Sequence, residues 1–259
     1  MDKELIEDAL LFYRGDQKSK KQPRPERFVF PFKPDDMAEI LTACYREEVK
    51  GRGEHEFRAT PETTRIIGSV SRWMTDESKR PGLILMGAAP GTGKTTLAKA
   101  LITATYVAGR VIGGWNVEES ERERALSRIP FYMFTTAAEL ERARQAEAVA
   151  DANGSPSDSP FTKLCNMDVE VLGRGKVPFT LIVDDIGTEN ANINVYGTAI
   201  APFADFVFSR YDNQRPAILT TNLSGKAISE RYGARVWDRL RDMCEVVAFK
   251  FKNEESFRG

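Results

Sequence analysis

The apolar run Leu83-Ile84-Leu85-Met86 leads directly into Gly87-Ala88-Ala89-Pro90-Gly91-Thr92-Gly93-Lys94-Thr95-Thr96, and an alanine-rich apolar stretch follows as far as Thr105. A strand, a glycine-rich turn and a helix in this order form the first half of a βαβ unit, which requires a parallel sheet. The pattern to compare is G-x-x-x-x-G-K-[S/T]. Here Ala88 stands where the first glycine belongs, and Gly87 lies one residue earlier. The remaining chemistry is intact. Gly91 and Gly93, with Pro90 and Thr92 between and before them, let successive backbone N–H groups turn inward on phosphate oxygens. Lys94 supplies a point charge for the β- and γ-phosphates. The Thr95 hydroxyl suits Mg²⁺, Thr96 follows it in the first turn, and the helix presents its positive end to the same place.

Two further apolar runs end in polar groups. Phe179–Val183 delivers Asp184 and Asp185, and Ala217–Leu219 leads to Thr220-Thr221-Asn222. Ligands of such sheets bind beyond the C-terminal strand ends. Asp184 is placed to hold a Mg²⁺ shell and Asp185 to orient or deprotonate an attacking water. The alternative is a plain turn after a core strand. Asn222 either touches the γ-phosphate or the attacking water, or simply opens the next turn.

Composition narrows the chemistry by exclusion. The chain has 259 residues with 37 Lys+Arg, 38 Asp+Glu and one histidine. A two-histidine metal site is therefore impossible, and no nucleophile elbow accompanies His55. Cys44, Cys165 and Cys244 are widely spaced and read as reduced, buried thiols. A net charge of −1 requires any nucleic-acid contact to come from a local patch. The start, MDKELIED, lacks the basic and apolar regions of a leader peptide, and no run is long enough to span a membrane, so a cytoplasmic protein is expected.

Ahead of the sheet, residues 1–13 carry a helical pattern (Leu5, Ile6, Ala9, Leu10, Tyr13). Residues 14–27 hold Arg14, Lys18, Lys20, Lys21, Arg24 and Arg27 among prolines, which predicts an extended basic arm. Helices are expected at 35–49, with Met37, Ile40, Leu41, Cys44 and Tyr45 on one face, and from the cap Thr60-Pro61 to about Asp76. Strands are expected at Leu83–Met86, Phe131–Phe134, Phe179–Val183, Ala217–Leu219 and Val246–Phe249, with a helix at Ala137–Ala150. The stretch DANGSPSDSP at 151–160 predicts a mobile loop, and the charged run EESERERA a solvated helical face.

Taken in order, these motifs resemble the AAA+ ATPases. LIVDDIGTEN, SRYDNQRPAILTTNLS and ERYGARVWDRLRDMCEVVAF are similar to the DnaC/DnaI-type replicative helicase loaders and the related IstB-type transposase helper ATPases. The resemblance runs from about Gly82 to the C-terminus. It implies a P-loop AAA+ α/β fold with a five-stranded parallel sheet flanked by helices, occupying 59–259. A small helical and extended partner-docking region would occupy 1–58. It implies Walker A roles for Lys94 and Thr95, Walker B roles for Asp184 and Asp185, and a sensor role for Asn222. Arg239 would be a finger reaching a neighbouring subunit's ATP, and Arg235 a second basic position in that helix. Without the resemblance, Arg239 reads as a solvated arginine or one paired with Asp238 or Asp242.

The sequence departs from the family at two places. Asp185 replaces the more usual AAA+ glutamate, which would slow hydrolysis. The residues after Asn222 are filled by the arginine helix and a strand, leaving no room for a full helical lid. Ser256-Phe257-Arg258 resembles a family ending in which Arg258 would stand in for the lid's arginine; otherwise Arg258 is a frayed terminal residue.

The resulting expectation is a homo-oligomeric, Mg²⁺-dependent ATPase that binds ATP or ADP and loads or remodels a replicative helicase on single-stranded DNA. A transposase helper and a weakly hydrolysing ATP-gated adaptor are the alternatives. Arg142, Arg144 and Lys163, in the long segment between the second and third strands, are candidate phosphate contacts on DNA.

Overall fold

The computed structural model describes residues 27, 29–51, 57, 59–154, 159–166, 168–171 and 175–250. The predicted helix at 1–13, the basic residues before Arg27, His55 and Arg258 lie outside the described residues. Five strands form one parallel sheet: β1 (Gly82–Met86), β2 (Tyr132–Thr136), β5 (Thr180–Ile186), β8 (Ala217–Thr221) and β9 (Cys244–Ala248), in the order β2-β5-β8-β1-β9. All five were expected, with ends shifted by a few residues. They read as unbroken apolar runs because helices cover both sheet faces. In β1, Leu83 and Leu85 point into one core while Ile84 points into the other.

The first core is closed by α1 (Pro34–Lys50), α2 (Pro61–Thr75) and α3 (Lys94–Gly113). In α1 the stripe Met37, Leu41, Cys44 and Tyr45 is buried, and it packs among Ile66, Val70, Leu97 and Leu101. The residues from 34 to 50 thus share one core with the P-loop helix. Pro61 starts α2 behind Thr60, whose hydroxyl accepts from the Thr63 N–H at 3.1 Å. The run EESERERA forms α4 (Glu119–Leu126), which buries only Ala125.

The second core lies under α5 (Ala137–Ala152), α6 (Pro160–Asn166), α7 (Pro202–Asp212), α8 (Gly225–Tyr232) and α9 (Ala234–Met243). The predicted loop at 151–160 is shorter than expected. α5 continues to Ala152 and α6 begins at Pro160, while 155–158 lie outside the described residues. Two antiparallel hairpins were not foreseen: β3 (Asp168–Val171) with β4 (Gly175–Pro178), and β6 (Ile193–Val195) with β7 (Thr198–Ile200). The second inserts between β5 and α7. Its turn has Tyr196 at φ 49° and Gly197 at φ 86°, a two-residue left-handed turn matched to strand twist. The Gly197 N–H donates to Asn194 Oδ1 at 2.8 Å, and Tyr196 is three-quarters exposed at the tip.

Arg27 does not extend into solvent with the expected basic arm. Its guanidinium donates to the carbonyls of Asp76 (2.5 Å), Lys79 (2.7 Å) and Trp73, and it lies over the Trp73 ring. A cation placed on the last carbonyls of a helix satisfies acceptors that have no partner within the helix. Arg144 is likewise engaged, with Asp205 (2.9 Å) and Glu147 (3.2 Å), because burial against Phe161 makes ion pairing preferable to reaching outward. No helix among the described residues is long and apolar enough to cross a membrane.

Candidate nucleotide site

The site assembles where β1, β5 and β8 end. After Met86 the chain turns through Gly87, whose N–H donates to the Thr221 carbonyl at 3.2 Å. A Cβ on Gly87 would lie 2.7 Å from the Phe249 Cβ, so glycine is required there by close packing. Ala88, one residue later, is exposed and meets no such constraint. Gly91 and Gly93 adopt φ of 76° and 85°, the left-handed turns that aim backbone N–H groups into the loop. Gly93 is the N-cap of α3.

Tyr45 reaches this loop from α1. A Cβ on Gly93 would come within 2.0 Å of its hydroxyl. Gly93→Ala therefore combines a left-handed alanine, costing about 1–2 kcal/mol, with a direct clash. The expected result is a lower melting temperature together with weaker nucleotide binding. Adding Tyr45→Phe should recover only part of the stability. Full recovery in the double variant would show that the clash, and not the backbone conformation, sets the requirement.

Lys94 is almost fully buried. Its ammonium donates to the carbonyls of Gly87 (2.8 Å) and Ala89 (3.0 Å) and to Thr92 Oγ1 (3.1 Å), and it faces the Phe249 ring. Thr92 Oγ1 in turn donates to the Ala89 carbonyl at 3.2 Å, bracing the loop. Pro90 is exposed at the crest of the loop, while Thr96 is buried in the first turn of α3.

The Thr95 hydroxyl lies beside the Asp184 carboxylate and favours its charged form. Asp184 is buried at the end of β5 and also accepts from Thr220 Oγ1 at 2.5 Å. Its pKa is raised, first by burial, with the neighbouring Asp185 charge adding to the rise and the two hydroxyls and Lys99 opposing it. Thr220 was missed in the sequence. It is fully buried on β8 and touches both carboxylate residues, donating to Asp184 and accepting from the Asp185 N–H at 2.9 Å. The sequence shows only that two threonines end an otherwise apolar strand.

Between Val183 and Ile186 the β5–β8 register shifts, and Asp185 takes φ 58°. The strand bulge turns its side chain out of the sheet to the exposed strand end. Asn222 is exposed one residue beyond β8, at the same edge. The sequence-derived residues Lys94, Thr95, Asp184, Asp185 and Asn222 therefore gather at three adjacent strand ends.

Arg235 and Arg239 lie elsewhere, exposed on α9. Arg239 sits over the Tyr211 ring at 4.1 Å. Neither Asp238 nor Asp242 pairs with it: Asp238 binds Arg241, and Asp242 accepts from the Tyr211 hydroxyl at 2.7 Å. Tyr211 lies near the end of α7, ahead of β8, so Arg239 leans away from its own chain's P-loop. A cavity of about 490 Å³, bounded by Trp73, Tyr132, Arg210 and Tyr211, opens at that opposite sheet edge and is separate from the P-loop.

The residues fit Mg²⁺ by their chemistry. A hydroxyl and a carboxylate are hard oxygen donors of the kind Mg²⁺ takes beside phosphate oxygens. Burial also leaves Asp184 short of positive compensation. The carbonyl oxygens now facing Lys94 show that the ammonium is aimed into the loop.

A doubly covered parallel sheet, a glycine loop opening a helix after β1 and a carboxylate pair at the end of β5 define an α/β protein with a P-loop site. No family model and no curated protein matches the chain in sequence. Among solved structures it is similar to the DnaC helicase loader, at 16% identity and a TM-score of 0.48, covering 80% of this chain and 98% of that one. It is also similar to DnaI, at 16% identity and a TM-score of 0.38, covering 91% and 95% of the two chains. AMPPCP-bound DnaA from Aquifex aeolicus is similar at 17% identity and a TM-score of 0.42, and there the match covers 78% of this chain and half of the other.

Proposed function

We propose that the chain is a Mg²⁺-dependent ATPase of the AAA+ type that acts on a replicative helicase at single-stranded DNA. The observation carrying the ATPase reading is the buried Asp184, which accepts from Thr220 Oγ1 and has the Thr95 hydroxyl beside it, so that the P-loop helix, the carboxylate strand and the next strand meet at one carboxylate. Lys94 exchanges its carbonyl partners for phosphate oxygens, a charge-assisted bond of higher strength. Thr95 and Asp184 are the residues that would hold Mg²⁺, which would supply charge neutralisation on the phosphates. Asp185, turned outward by the bulge, orients the attacking water and takes its proton, and Asn222 steadies the same region.

Arg239 acts on the ATP of a neighbouring copy, leaving its own Tyr211 to do so, with Arg235 beside it on the same helix. The client is gripped through the N-terminal region before α1. Tyr196, exposed on its hairpin, offers a face on which a DNA base can stack.

Arg239→Ala should keep ATP affinity within about twofold while lowering concentration-dependent hydrolysis by about tenfold or more, since finger arginines act only on transition-state charge. Hydrolysis measured across protein concentration checks this, and wild-type rates would reject the finger. Capture of partners by the full chain with and without ATP tests the client. Recovery of a transposase in place of a helicase would select the helper reading.

A further inference from the structure

Glu189 is an acidic side chain that the site described above leaves unused, yet it is only 3% exposed. Four residues after Asp185, it closes the turn at the end of β5. Its Oε2 accepts the Gly187 N–H at 2.8 Å, and its Oε1 accepts the Tyr232 hydroxyl. The Arg231 guanidinium donates to the Glu189 backbone carbonyl and lies over the Tyr232 ring. Burial and the adjoining carboxylate push the Tyr232 hydroxyl pKa upward, so it remains the donor.

The two ends of this bridge are informative. On one side Thr188 binds the Asp185 carbonyl through its N–H (3.2 Å) and its hydroxyl (2.8 Å), and Gly187 at φ 107° is wedged against Leu223. A shift at Glu189 therefore moves the backbone carrying Asp185. On the other side Tyr232 is the last residue of α8. The next residue, Gly233 at φ 97°, is the pivot from which α9 with Arg235 and Arg239 departs. A Cβ on Gly233 would meet nothing within 4 Å, so its conformation and not packing sets the joint between the helices. A buried carboxylate thus spans the water-orienting turn and the pivot of the arginine helix.

We infer that Glu189 is a positioning residue that couples the chain's own nucleotide site to the helix reaching its neighbour. This rests on the ATPase reading proposed above. Nucleotide settling beside Asp185 changes the turn, Glu189 passes the change to Tyr232, and α9 is fixed in the attitude that presents its arginines. In the opposite direction, a neighbour engaging α9 sharpens the placement of Asp185.

The test compares the full-length wild type with Glu189→Ala, Glu189→Gln and Tyr232→Phe, each with AMPPCP and Mg²⁺. It reads nucleotide affinity, hydrogen exchange of the α9 amides and melting temperature. In the wild type, nucleotide should slow α9 exchange several-fold. In Glu189→Ala and Tyr232→Phe that response should vanish while affinity stays within about twofold. Glu189→Gln should recover part of it, because an amide still accepts from Gly187 and can bond the tyrosine oxygen. Tyr232→Phe keeps the carboxylate and its backbone bond, so it reports on coupling even where the alanine variant is poorly folded. An unchanged α9 response in folded Tyr232→Phe overturns the coupling and leaves the ATPase reading intact. A wild type that binds no nucleotide overturns both.

Discussion

Lys94→Ala should weaken nucleotide binding by about 10²–10⁴-fold. The ammonium donates inside the glycine loop, to Gly87, Ala89 and Thr92. Removing it forfeits two charge-assisted bonds to phosphate. At about 1.5–3 kcal/mol each, that is a loss of about 10²–10⁴ in affinity. The fold should survive, because the carbonyls left behind lie at a loop that water can reach once the side chain is gone. Titration with a fluorescent ATP analogue, alongside thermal unfolding, separates the two effects. An affinity within twofold of wild type in a folded variant would remove the P-loop assignment.

Asp184→Asn should be more stable than the wild type without nucleotide and at least about 100-fold slower in hydrolysis, since it loses the charge that holds Mg²⁺. Burial raises the Asp184 pKa, so the native state holds a proton that the unfolded chain has already released. Below the ordinary carboxylate pKa of about 4, both states are protonated and the wild type carries no penalty. As pH rises from there through the raised native value, ionisation in the buried site costs stability, and the full cost persists above it. The gap in melting temperature between variant and wild type should therefore widen from acid to neutral pH. Added Mg²⁺ and nucleotide should close it, because bound cation compensates the wild-type charge alone. A gap independent of pH would show that Asp184 is not strained by its own charge.

Much of this site was legible in the sequence, for a physical reason. Strands buried on both faces leave unbroken apolar runs, so Leu83–Met86, Phe179–Val183 and Ala217–Leu219 could be placed, and the polar groups at their ends with them. What escaped depends on contacts between segments far apart in the chain. Thr220 matters because the β5–β8 register sets it against Asp184, and no local pattern encodes a register. Glu189 sits in Thr188-Glu189-Asn190, which reads as an ordinary polar turn until Tyr232 arrives from another helix. Arg27 and Arg144 looked like free cations because helix-end carbonyls and Asp205 enter only on folding. The β6–β7 hairpin was missed because its strands are three residues long and its left-handed turn uses Tyr-Gly in place of the usual Asn-Gly.

Arg27 and Tyr45 together have a mechanical meaning. One is clamped onto the carbonyls around the end of α2, below the start of β1; the other rests its hydroxyl on Gly93, past the end of β1. The stretch between them crosses the whole height of the sheet, like a strap buckled at both rims. A tug applied ahead of Arg27 must first break three guanidinium–carbonyl bonds before any slack reaches the phosphate loop.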